Sequence, residues 1–166
     1  MNMENEKYYR DIFPNLNEFY LYPNSESNDF NCISHVLGVY DMITWPTIHH
    51  NFYWLGVYDV SVESFDNLFK RKGFEKLDIL DITYDENLTK IALFTNNGLP
   101  THASLQIDED WLVSKIGSLG IIKHDLFEIE NSKYGIAKYI YVKRKYINEK
   151  ILNFNEYFNN INFEKL

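Results

Sequence analysis

The sequence predicts an α+β fold in which helices pack on an antiparallel sheet. Three observations carry that prediction. A helix-forming segment beginning at Cys32 follows a turn-rich loop, and a second apolar stripe runs through Val62, Phe65, Leu68 and Phe69. From about residue 90 to residue 143, short apolar runs then alternate with turn formers, as in an antiparallel meander.

The elements follow in chain order. Tyr8 to Tyr22 mixes aromatic residues with Pro14 and asparagines and reads as irregular chain or short elements wrapping the domain. Pro23 to Asp29 is a run of turn formers. In Cys32 to Tyr40, positions 33, 36, 37 and 40 share one helical side, with Asp29 or Asn31 as the cap. Trp45-Pro46 ends that segment, and Thr47 to Gly56 reads as an aromatic, histidine-containing loop. Ser61 caps the second helix, which stops at Gly73, and Phe74 to Ile82 carries a modest strand alternation.

Strands are expected over Lys90–Thr95, Thr101–Ile107, Trp111–Lys115 and Gly135–Lys143, with a short helix over Asp125–Ile129. In the tail from Tyr146 to Leu166, Ile151, Phe154 and Phe158 are placed to dock a terminal helix. The 166 residues read as a single domain, 1–166, with its core over about 30–143.

Composition narrows the function. One cysteine excludes an internal disulfide and argues for a reducing compartment. No secretory leader opens the chain and no apolar run approaches a membrane span, so a cytoplasmic location and no membrane partner are expected. A net charge of −8 argues against nucleic acid as a partner. The basic run Lys143-Arg144-Lys145 reads as the solvated end of a strand. The 13 tyrosines and 12 phenylalanines read chiefly as packing.

Two residues stand out for chemistry. Cys32 falls in the first turn of its helix, where free backbone amides stabilise a thiolate. His102, in a strand far downstream, is the residue type that takes the thiol proton and returns it to a leaving group. His35 lies three residues after Cys32 and is placed to tune the thiol, with polar helix surface as its ordinary role.

The third member of a triad is left open among several residues. Gln106 shares the strand face of His102, although four residues along a strand span about 13 Å, so it suits an oxyanion donor better than an orienter. His124, Asp110 and Ser114 are the other candidates for an orienting or supporting role. Trp45 and Trp54 are candidate walls of a substrate groove. The histidines, His49-His50 among them, form no compact metal motif, and Gly117-Ser118-Leu119-Gly120 lacks the lysine of a phosphate loop. Neither a metal nor a cofactor is expected.

The blocks Asn31-Cys32-Ile33-Ser34-His35-Val36-Leu37-Gly38, Trp45-Pro46 and His102-Ala103-Ser104-Leu105-Gln106, continuing from Asp110 through Lys115-Ile116-Gly117 to His124 and Tyr134-Gly135, resemble a little-characterised bacterial family with a papain-like, NlpC/P60-like core. That resemblance covers roughly residues 30 to 143. It implies a cysteine hydrolase in which Cys32 sits on a helix packed against a sheet bearing His102. Its relatives act on cell-wall peptides or proteins, or transfer acyl groups, or deamidate glutamine. The opening here is Asn31-Cys32-Ile33, where common NlpC/P60 enzymes carry Asp-Cys-Ser.

Two functions compete at this point. One is a cysteine-dependent amide hydrolase or acyl transferase acting on a peptide or protein. The other is an inactive binding module, such as an immunity or antitoxin protein whose acidic face covers a basic partner.

Overall fold

A computed structural model describes residues 3–49 and 51–145. The order of elements is α1 (Met3–Ile12), β1 (Tyr20–Leu21), α2 (Cys32–Val36), β2 (Ile43–Thr44), β3 (Phe52–Tyr53), α3 (Val62–Arg71), β4 (Glu75–Lys76), β5 (Leu88–Asn96), β6 (Leu99–Gln106), β7 (Leu112–Lys115), β8 (Ile121–His124), a 3₁₀ helix (Leu126–Ile129) and β9 (Ile136–Arg144). This is an α+β fold. Seven strands form one antiparallel sheet in the order β1-β8-β7-β6-β5-β9-β4, while β2 and β3 form a separate short parallel pair.

The centre of the sheet is buried on both faces, and strand alternation divides its side chains. Ile91 and Leu93 of β5, with Ala103 of β6, pack with Cys32, Ile33, Val36, Phe65, Leu68 and Phe69 from α2 and α3. Ala92 and Phe94 of the same β5 point the other way, into Tyr9, Phe13, Leu16, Leu126, Ile129 and Tyr134. Helix α3 follows its sequence pattern closely. The Ser61 hydroxyl accepts from the Ser64 amide, and the helix ends ahead of Gly73, whose φ of 84° suits a residue without Cβ.

Other segments depart from the sequence expectation. Helix α2 stops at Val36, not Tyr40, because Gly38 turns left-handed and the Ser34 hydroxyl is drawn to Thr44 and the Met42 carbonyl. Only Glu75–Lys76 of the 74–82 segment pairs as a strand. The N-terminal segment is a regular helix over Met3–Ile12, braced by an Arg10–Glu6 ion pair at 2.9 Å. Within the segment read as a loop, Phe52–Tyr53 pairs with Ile43–Thr44. The terminal helix expected around Ile151, Phe154 and Phe158 lies outside the described residues.

Candidate active site

Asn31 builds the start of α2. Its side-chain oxygen accepts from the Ser34 amide and hydroxyl, and its amide nitrogen donates to the Thr44 carbonyl at 2.9 Å. This polar knot fixes Cys32 as the first helical residue. Helix α2 lies on β6 and β7. Those two strands pair in the backbone at Leu105–Val113 and Gln106–Leu112, and the next pair, Ser104 and Ser114, meets through its hydroxyls at 2.6 Å.

The thiol of Cys32 meets the sheet at Ala103, whose backbone amide faces the sulfur together with that of Ile33. Cys32 is 8% exposed. Burial dominates its electrostatics and pushes the thiol up to about 11, against the pull of those amides and of the Lys115 charge. At neutral pH the resting group is a thiol.

Lys115 is itself fully buried on β7. Its ammonium donates to the carbonyls of Ser27 (2.9 Å), Gly117 (2.6 Å) and Leu119, and lies 5.3 Å from the Phe30 ring centroid. Burial draws it down to about 8, opposed by the nearby Cys32. It ties the loop preceding Cys32 to the β7–β8 turn.

His102 occupies the residue next to Ala103, so its ring lies on the other side of β6. It is completely buried, faces Phe94 edge-on at 5.6 Å and stacks on Tyr134 at 4.0 Å with an interplanar angle of 11°. Neither ring nitrogen has a hydrogen-bond partner among the described residues. Burial, with the charges of His124, His35 and Lys133, holds the imidazole neutral, well below its ordinary range.

Two features aim this ring. The β5–β6 register shifts beside Phe94 and leaves Thr101 unpaired, and such a bulge rotates the neighbouring side chain. Gly135, at φ 76°, lets Tyr134 approach; a Cβ there would meet the Thr95 carbonyl oxygen at 2.0 Å.

The thiol therefore meets β6 at Ala103 on the α2 face, while the imidazole of the adjacent His102 lies on the opposite face of the strand, without a hydrogen bond between them. Helix α2 does pack on the strand that bears His102, but strand alternation gives the helix-facing side to Ala103, so the expected Cys32–His102 pair is not in contact. The Tyr134 phenol still feels Cys32, which contributes to the upward shift of the phenol.

The other expected site residues separate from this pair. His124 is joined on both nitrogens: Nδ1 lies 2.6 Å from the Asp125 carbonyl and Nε2 lies 2.7 Å from Ser114 Oγ. A carbonyl can only accept, so Nδ1 carries the proton and Ser114 donates to Nε2. Ser114 then accepts from Ser104 at 2.6 Å. This chain resembles a nucleophile–base pair, but Ser104, Ser114 and His124 are all sealed in the core. Burial lowers His124 to about 4.

Gln106 is engaged elsewhere, donating to the Ile82 carbonyl at 2.6 Å, and it is not joined to Cys32 or His102. Asp110 is an exposed turn residue. His35, expected on a polar surface, is 1% exposed among Phe30 and Tyr40, and burial lowers it to about 3. Trp45, partly buried, and Trp54, buried, pack on Phe65 at 5.5 and 5.0 Å, and the Trp54 indole donates to the Val57 carbonyl. No group of three or more metal-ligating side chains occurs among the described residues. No helix among them is long and apolar enough to cross a membrane.

Sequence reasoning missed Lys115 and Tyr134. Lysine in a strand reads as surface, and only the three carbonyls around its ammonium reveal otherwise. A family model described as a domain of unknown function, DUF7689, matches residues 22–142. The chain belongs to this family. The DUF7689 match spans Cys32, His102, Lys115, His124 and Tyr134 and ends within β9. No curated protein and no solved structure matches the chain.

Proposed function

We propose that this DUF7689 protein is a cysteine-dependent amide hydrolase or acyl transferase of papain-like type. Cys32 Sγ attacks the carbonyl carbon of a peptide or glutamine amide, and its proton passes to His102 in a rearranged state that brings the ring round to the α2 face of β6. The C–N bond then breaks, His102 returns the proton to the departing amine, and water or an acceptor amine releases the acyl group. Backbone amides at the start of α2 are the donors for the oxyanion.

One observation supports this reading above others: the backbone amides of Ala103 and Ile33 face the sulfur of Cys32 in the first turn of α2, and the buried imidazole of His102, next to Ala103 in β6, has no hydrogen-bond partner among the described residues. Leaving a buried polar group unpaired costs about 1–3 kcal/mol, a cost that a base kept free for substrate explains. With thiol and imidazole both neutral at rest, His102 acts as a general base during attack, not as half of a preformed ion pair.

The burial of Cys32 favours a second reading, in which the cysteine is core packing and the acidic protein is a binding module for a basic partner. Iodoacetamide labelling separates the two. A thiol near pKa 11 has only about one thiolate in 10⁴ at pH 7. The hydrolase reading expects labelling at pH 7 faster than that fraction permits and lost in His102→Ala. Labelling that follows the thiolate fraction alone, equally in both proteins, leaves the binding module.

A further inference from the structure

A cavity of about 270 Å³ opens at the far end of α2 from Cys32, with Lys72, Lys143, Arg144 and Lys145 around it and Phe74 and Leu105 among its apolar lining. Among the described residues, no aspartate or glutamate lines it. The chain as a whole carries 24 acids against 16 bases. Four cations gathered without an acid is therefore the reverse of what this composition supplies by default.

The partnering of the lysines sharpens the contrast. Lys76, Lys90 and Lys123 each reach a carboxylate, on Asp66, Asp81 and Asp108. None of the four cavity cations takes an ion pair among the described residues. Lys72, Lys143 and Lys145 instead lie over the rings of Tyr53, Phe74 and Tyr84, at 5.1, 5.9 and 6.0 Å. These three are half-buried, so their charge acts across partly desolvated protein. A cleft of one sign with apolar walls concentrates field and counter-ion.

We infer that this cavity binds a small amphipathic anion, a phosphate or carboxylate group carried on an apolar or aromatic body. The anionic group sits among Lys72, Lys143 and Arg144, where the guanidinium offers paired donors to oxygen. The apolar body rests on Phe74 and Leu105. The cavity lining does not include Cys32 or His102, so this inference stands apart from the hydrolase reading.

Calorimetric titration of the full chain with phenyl phosphate, inorganic phosphate and phenol tests it. Saturable binding of phenyl phosphate is expected, at least fivefold tighter than inorganic phosphate, weakening as NaCl is raised, with no binding of phenol. Lys143→Glu is expected to weaken it tenfold or more. Arg144→Gln, at an exposed position that leaves the core intact, is expected to weaken it at least threefold. Lys138→Glu, an exposed change on the same β9, is expected to shift it less than twofold. Absence of saturable binding, equal affinity for phenol, or equal weakening by Lys138→Glu and Lys143→Glu would each overturn the assignment.

Discussion

His102 and His124 occupy the same sheet, are both fully buried, and differ in one respect. His124 uses both nitrogens in a chain running from Ser104 through Ser114 to the Asp125 carbonyl. His102 uses neither and is held by ring contacts alone. A buried polar group with every bond made is adequately explained by stability, whereas one with none made needs another reason to persist. The difference teaches that burial alone does not distinguish these two histidines; their hydrogen bonding does, and the hydrolase reading turns on that contrast.

The largest expected effect tests what the two residues share. His35, His102 and His124 are all lowered by burial, to about 3 for His35 and about 4 for His124. Because the folded values lie below the unfolded value near 6.5, the unfolded chain binds more protons in acid. Stability is thus fully present above about pH 6.5 and is lost as pH falls toward 4. Each histidine contributes up to about 1.4 kcal/mol per pH unit in that window, or about 4 kcal/mol for three. Urea unfolding from pH 7.5 to 4.5 should show this slope. A flat profile would mean that these rings are not sealed.

Substitution then separates the pair. His124→Phe leaves the Ser114 hydroxyl buried without its acceptor and should cost about 2–4 kcal/mol in urea unfolding at pH 7.5. His102→Phe removes an unpaired polar ring while keeping an aromatic stack on Tyr134. It should be neutral or stabilising by about 1 kcal/mol, and should reduce the acid slope by about a third. Equal destabilisation by the two substitutions would show that His102 is as structural as His124.

Much of the fold was legible in the sequence because it is local. The Ser61 cap with its apolar stripe, the Asn97-Gly98 turn and the Asp125 cap of the 3₁₀ helix are written within a few residues. Helix α1 was not, since its buried positions Tyr9, Phe13 and Leu16 continue beyond the helix into the turn after Pro14. The site was legible by residue type and only partly by position. Cys32 meets β6 at Ala103, and His102 is the adjacent residue of that strand but faces the other way. Which face His102 takes follows from alternation with Ala103, but which of the two faces α2 covers is decided by tertiary packing and is not written in a local period. Gln106 went to Ile82 and the two tryptophans went to Phe65 through contacts made only when α3 and the 80s loop close over the sheet.

The central claim, that Cys32 is a nucleophile served by His102, is tested most directly by acetylation with p-nitrophenyl acetate at pH 7.5. The release of p-nitrophenolate is followed, and the acetyl group is located by peptide mass spectrometry in wild type, His102→Phe and His124→Phe. Acetyl-Cys32 should form in the wild type and fall by about 100-fold or more in His102→Phe, the scale of a lost general base. Folded His124→Phe should retain it within a few-fold. Acetylation of Cys32 at an unchanged rate in His102→Phe, or none on Cys32 in the wild type, would contradict the account.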